Sequence, residues 1–198
     1  YYSGKKFRGI IHQHIKSIGL HRGETLYYEI VGWDDGGKPI MGQYGLSKEL
    51  AKKSGLTTKE YEEFNSQYGP NIYFSYGCNP GEYKILIYRI TQTSEDGHVL
   101  ELSLNQVKAR CKELGLDYVP ILRDTFIYDG NKGKLIDLCK ELAEGPDILD
   151  DKHPREGVVV RIEAPGYDNH MKVKGFWFRV LEGLIKEQTT YVDEEEVS

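Results

Sequence analysis

Apolar residues Ile10, Ile11, Ile15 and Ile18 recur at close to helical spacing, which predicts a helix from about Phe7 to Leu20. Thr25 to Val31 is rich in β-formers and stops at Gly32, and Asp34-Asp35-Gly36-Gly37 then predicts a turn. Ser47 ahead of Leu50 and Ala51 starts a short helix, and Thr57 or Thr58 with Glu60 starts another. Lys84 to Thr91 reads as a strong strand. Ser94-Glu95-Asp96-Gly97 turns it back into a hairpin with Val99 to Leu102. Ser103 with Gln106 forms a capping box for a helix running to about Leu114, closed by Gly115. Tyr118 to Leu122 predicts a short strand and Lys134 to Ala143 a helix. Gly157 to Ile162 and His170 to Lys174 predict the last two strands, and Phe176 to Ile185 suits either element. Strands paired in hairpins with helices between them define an α+β class with mainly antiparallel sheets flanked by helices. No repeat, low-complexity linker or composition shift breaks the pattern, so residues 1–198 read as a single domain.

The bulk numbers narrow this little. A chain of 198 residues buries a real core. No apolar run is long enough to span a bilayer, and no secretory segment opens the chain. The net charge of -5 lacks the basic footprint of most nucleic-acid binders. The sign is uneven, however: Asp193-Glu194-Glu195-Glu196 makes an acidic tail at about 192–198, while Lys5, Lys6, Arg8, His12, His14 and Lys16 are locally basic. A groove can be positive on a protein that is negative overall. Cys78, Cys111 and Cys139 are odd in number and widely spaced, which predicts reduced thiols in a cytoplasmic protein. His12 and His14, two apart, do not share a helical face, and no histidine pair has transition-metal spacing.

Four stretches carry candidate chemistry. In Glu156-Gly157-Val158-Val159-Val160-Arg161, a carboxylate and a cation bracket a strand, Gly157 leaves room for a ligand at the backbone, and Arg161 suits a phosphate. Lys172 and Lys174, two apart, point to one sheet face and repel unless an anion or a carboxylate lies between them. Glu29 in Tyr28-Glu29-Ile30-Val31-Gly32 can accept from a ribose hydroxyl or a metal-bound water. Tyr88, sharing its strand face with Leu86, can stack on a base. Taken singly, each can also be read as an ordinary strand with solvated charges or a packing aromatic.

The order of the four is more specific than any one of them. It resembles the covalent nucleotidyltransferase superfamily of ATP-dependent RNA and DNA ligases and messenger-RNA capping enzymes. Glu29-Ile30-Val31-Gly32 looks like motif III, Lys84 to Ile90 like motif IIIa, Glu156 to Arg161 like motif IV and Lys172-Val173-Lys174 like motif V. The resemblance runs from about Leu20 to Val180. Leu26 to Gly32 and Phe74-Ser75-Tyr76-Gly77 look most like RNA ligases.

The resemblance implies a ligase-type nucleotidyltransferase fold, ATP as AMP donor, Mg2+, and sealing of 5′-phosphate to 3′-hydroxyl RNA ends through lysyl-AMP and an adenylylated 5′ end. It implies that Glu29 binds the ribose, Tyr88 stacks on adenine, and Glu156 holds the metal or its water. Lys172 and Lys174 would contact the AMP phosphate, and Arg161 would bind nucleotide where many relatives carry lysine. Glu156, Lys172 and Lys174 are thus the expected catalytic set. RNA or nicked nucleic-acid ends are the expected partners, with no membrane role.

One departure qualifies the expected activity. The nucleophilic lysine of the family stands in K-x-D/H/N-G, well upstream of motif III, and no such motif is present. Lys6-Phe7-Arg8-Gly9 fits only the bare K-x-x-G, with Arg8 at the discriminating position and too few residues before Glu29. The chain also begins without methionine. The expectation is therefore an N-terminally truncated ligase domain whose nucleophile lies in a missing N-terminal part, with that N-terminal segment or an OB-fold domain of the same protein as a further partner. The alternatives are a catalytically inactive relative that binds nucleotide or nucleic-acid ends, and a DNA ligase or capping guanylyltransferase.

Overall fold

The computed structural model describes residues 5–163 and 170–184, with the backbone alone for 5–8. The acidic tail and Ile185 lie outside the described residues. In chain order the elements are α1 (Lys5–Ser17), β1 (Glu24–Gly32), β2 (Gln43–Tyr44), α2 (Lys48–Lys53), α3 (Thr58–Tyr68), β3 (Ile72–Tyr73) and β4 (Tyr83–Thr93). There follow β5 (Val99–Glu101), α4 (Leu104–Leu114), β6 (Asp117–Tyr118), α5 (Lys132–Ala143), β7 (Gly157–Arg161), β8 (His170–Lys174) and α6 (Phe176–Leu181). The class is α+β, with small sheets and flanking helices. They form two compact units, one drawn from Tyr1–Gly42 and Phe74–Pro120, the other from Gln43–Tyr73 and Ile121–Ser198.

The first unit is built on a sheet in which β1 and β5 flank β4, both antiparallel to it. Ile85, Ile87 and Ile90 of β4 meet Ile11 and Ile15 of α1 and Val107 and Cys111 of α4 in one buried cluster. The helical spacing of Ile11 and Ile15 thus serves to cover one face of this sheet. α4 starts and stops where its caps dictate: Ser103 Oγ accepts from the Gln106 N–H, Gln106 Oε1 accepts from the Ser103 N–H, and Gly115 takes the left-handed conformation at φ 67°. Arg110 of α4 fastens the start of β1, donating to both carboxylate oxygens of Glu24 at 2.7 and 2.8 Å and to the Gly19 carbonyl at 3.0 Å.

The expected strand from Tyr118 to Leu122 is corrected to two residues, Asp117 and Tyr118, and it runs parallel to β4 rather than antiparallel. Val119 still donates its N–H to the Ile87 carbonyl at 2.9 Å.

The second unit pairs β2 with β3 and β7 with β8 as two-stranded ribbons. Phe64 of α3 stacks on Trp177 of α6 at 4.5 Å between centroids. Leu46, Ala51, Ile72, Cys139, Ala143, Val180 and Leu181 are buried in this unit. The segment after β8, which suits either element in sequence, is helical in Phe176–Leu181. Glu144 Oε1 accepts from the Phe176 N–H at 2.7 Å, and this carboxylate fixes where α6 begins. Among the described residues, no helix is long and apolar enough to cross a membrane.

Candidate functional site

Each unit carries one group of the residues singled out in the sequence. In the first unit, Glu29 and Tyr88 lie on adjacent antiparallel strands, and the register explains how they come together. Tyr28 pairs with Ile87 and Tyr27 with Arg89, so Tyr88 falls between them without a Cα partner. β4 therefore carries one residue more than β1 across this stretch, which is a β-bulge. Ile87 and Ile90, three apart, are both fully buried in the same cluster. Strict alternation would have sent Ile90 to the opposite face. The bulge absorbs the extra residue and leaves Tyr88 and Arg89 both on the face turned away from that cluster, with Leu86, Tyr27 and Glu29.

Tyr88 is 42% exposed. Burial of the rest of its ring pushes its phenol pKa up, and the charge of Glu29 pushes it further. Tyr27 lies 6.3 Å from it between ring centroids. The Arg89 guanidinium sits 4.9 Å over the Tyr27 ring and donates to Glu101 Oε2 at 2.9 Å. In the same unit Lys84 donates to the Tyr76 carbonyl at 3.5 Å. Tyr76 is buried and holds φ 51°, the one non-glycine at positive φ among the described residues. Such an outlier in an aromatic is costly backbone geometry.

In the second unit the register pairs Gly157 with Lys174, Val159 with Lys172 and Arg161 with His170. Directly paired residues and every second residue share a face, so Arg161, Lys172, Lys174 and His170 lie on one side of the ribbon. Lys172 is exposed at its middle. The ends are far apart: Glu156 and Arg161 are separated by about 16 Å of extended strand. Arg161 is tied to Glu163 at 3.0 Å.

Lys174 has the carboxylate that its pairing with Lys172 calls for. Its Nζ donates to Glu182 Oε2 at 3.1 Å, both side chains about a quarter exposed, and lies 5.9 Å over the Phe178 ring. Phe178 in turn meets Tyr44 edge-on at 6.2 Å. The Tyr44 phenol is pushed up by burial, then by the charges of Glu182 and Glu156. Tyr44 thus feels the charge of both carboxylates, one of which, Glu182, is paired with Lys174. The sequence pattern missed Glu182 and Tyr44, because neither has a periodic or spacing signal toward Lys174.

Gly157 serves a different purpose from the one its position beside a carboxylate suggests. At φ +152°, a Cβ there would lie 2.1 Å from the Val173 carbonyl oxygen. The room is used by the neighbouring strand, and the glycine is what lets β8 close on β7.

Among the described residues, no three His, Cys, Asp or Glu side chains gather as a metal-holding group. Mg2+ needs less from a protein, since it takes one or two carboxylates and keeps water and substrate phosphate as its other ligands. Glu156, a hard oxygen donor beside a cationic ribbon face, fits that requirement, with Glu182 as a second carboxylate near Tyr44. The cysteines offer no nucleophile: all three are buried, and burial with the charge of Asp117 pushes Cys111 up to about 11, which keeps it a thiol near neutral pH. Comparison with family models, curated proteins and solved structures returned no match.

Proposed function

We propose that this chain is the nucleotide-handling part of an ATP-dependent RNA ligase of the covalent nucleotidyltransferase superfamily, with the ligase-type fold. The observation that carries the reading is the β7–β8 register, which sets Arg161, Lys172 and Lys174 on one face, Glu156 being the residue immediately before β7. Glu29 and Tyr88, which strand alternation sets on one face of the β1–β4 pair, support it independently.

In this reading a lysine Nζ attacks the α-phosphorus of ATP; a P–N bond forms, the P–O bond to pyrophosphate breaks, and the amine proton goes to solvent. A terminal 5′-phosphate oxygen of RNA then takes AMP from the lysine, and the P–N bond breaks. The 3′-hydroxyl of the second strand attacks the activated 5′ phosphorus, loses its proton, and AMP leaves. Lys172 and Lys174 contact the AMP phosphate as positive charges that need no rearrangement during the reaction. Glu182 holds the Lys174 ammonium by one hydrogen bond, leaving two donors for phosphate oxygens. Glu29 accepts from the ribose hydroxyls and Tyr88 stacks on adenine. Mg2+, when bound, supplies charge that offsets the charge building on phosphorus, and Glu156 would hold it. The partners proposed are RNA ends, with the nucleophile and an OB-fold domain supplied elsewhere in the same protein.

A second reading, a nucleotide- or end-binding relative without catalysis, has one observation in its favour. Lys6-Phe7-Arg8-Gly9 lies inside α1, so its backbone is helical and regular.

The full-length protein incubated with labelled ATP and Mg2+ should form an acid-stable, amine-linked AMP adduct on a lysine. Absence of any adduct removes the ligase reading, and nucleotide protection without an adduct selects the binding relative. Transfer of GMP instead selects a capping enzyme, and sealing of DNA alone a DNA ligase. Glu156→Ala and Lys174→Ala should each lower adduct formation at least about a hundredfold while circular dichroism is retained, the loss of one charged contact at phosphorus being on the order of 3 kcal/mol. Unchanged activity in both would sink the assignment.

A further inference from the structure

The face that carries Glu29 and Tyr88 holds more than those two residues. Four side chains from three adjacent strands run across it in a connected line: Glu101 of β5, Arg89 of β4, Tyr27 of β1 and Tyr88 of β4. Each link is short. Arg89 donates to Glu101 at 2.9 Å and lies 4.9 Å from the Tyr27 centroid, and Tyr27 is 6.3 Å from Tyr88 with its ring tilted by 50°.

The arrangement is costly for mere packing. Arg89 and Glu101 are 17% and 16% exposed, and an apolar pair could fill such a position at no loss of stability. A guanidinium lying on one ring face fixes that ring and leaves the neighbouring ring to receive something else. The bulge adds the second half of the device. It places Tyr88 and Arg89, consecutive residues, on the same face, so the exposed ring and the cation that steadies its neighbour arise from a single backbone feature. Glu29 stands diagonally across from Tyr88, a spacing of about 7–8 Å that separates a stacked base from an acceptor for its own ribose hydroxyls.

We infer that Tyr88 as the stacking face and Tyr27, inclined beside it, as a wall along the edge form a two-ring platform for the base of the bound nucleotide, and that Arg89, tied to Glu101, is the positioning residue that sets the platform. This rests on the nucleotide reading above and extends it to residues that the motif order does not reach.

The test uses titration calorimetry on the full chain with two probes, Mg-ATP and Mg-tripolyphosphate, the second lacking base and ribose. Tyr27→Leu should weaken ATP about tenfold and leave tripolyphosphate within about twofold. Tyr27→Phe should bind ATP as the wild type does, because only the ring is needed. The double variant Arg89→Met/Glu101→Leu removes both charges together, leaves no orphan carboxylate, and should also lose about tenfold for ATP alone. If that variant does not fold, the contrast between Tyr27→Leu and Tyr27→Phe decides. The platform is overturned if Tyr88→Ala loses ATP while Tyr27→Leu keeps it, or if ATP and tripolyphosphate weaken together. Wild-type protein that binds neither probe, or a Tyr88→Ala variant with full ATP affinity, overturns the nucleotide reading itself and the platform with it.

Discussion

Glu24 illustrates how one titrating residue sets a property of the fold. Its carboxylate receives two hydrogen bonds from Arg110, and that contact, ahead of the opposing effect of burial, holds its pKa below the usual value of 4.5. The unfolded chain therefore takes up this proton near 4.5, and the folded chain only at lower pH. The stabilisation is complete above about 4.5, declines as the pH falls further, and is gone below the folded value. Thermal midpoints followed from pH 7 to pH 3 should show this acid-side loss in the wild type and a flatter profile in Glu24→Gln. At pH 7 the variant should be less stable by about 3 kcal/mol, because Arg110 stays largely buried without that partner. Parallel profiles would show that Glu24 does not carry the effect.

At the level of elements, the end of α5 and the start of β7 are joined by Arg155. Its guanidinium donates to the Leu142 carbonyl, to that of Glu144 at 3.1 Å and to that of Pro146 at 3.1 Å. The first two bonds serve carbonyls at the end of α5, which a helix leaves without partners of its own. The next residues continue the stitching: Gly175 donates its N–H to the Glu156 carbonyl at 2.8 Å. A Cβ on Gly175 would lie 2.8 Å from the Ala143 oxygen. Arg155→Met should cost about 2 kcal/mol, since charge-assisted hydrogen bonds to three backbone carbonyls are lost. Hydrogen exchange should quicken in 157–161 and 170–174; protection equal to wild type there would refute the role.

This element also shows what a sequence can and cannot carry. The caps at Thr57, Ser103 and Gly115 were legible because a cap acts over three or four residues. The face shared by Lys172 and Lys174 was legible because strand period is local. Arg155 stands between two candidate residues, yet nothing in the pattern marks it, since its partners lie nine to thirteen positions away. Glu182 escaped for the same reason. The bulge at Tyr88 was hidden more thoroughly, because an unbroken run of strand-forming residues gives no sign that one of them lacks a partner.

Considered as a whole chain, the protein crosses between its two units at Gly42–Gln43, Tyr73–Phe74 and Pro120–Ile121. None of these points shows a linker-like composition, since two of them adjoin short strands rather than flexible tethers. The net charge of -5 is likewise a poor guide to local chemistry. Arg161, Lys172 and Lys174 share one ribbon face whatever the sum, with Glu163 and Glu182 paired to the first and last of them, and the anion binding proposed there should weaken as ionic strength rises.

The extra residue in β4 means that the sheet does not need all of its own chain. Removing an amino acid from a central strand ordinarily turns half of its side chains the wrong way. Here the shortened strand would regain plain alternation, with Ile87 and Ile90 still inward, and the β1 pairing would run without a break. A variant lacking Tyr88 altogether should therefore fold, with a thermal midpoint close to that of the wild type, whereas deletion of Ile87 or Ile85 should not. The ring at that position is a surplus over what the architecture requires.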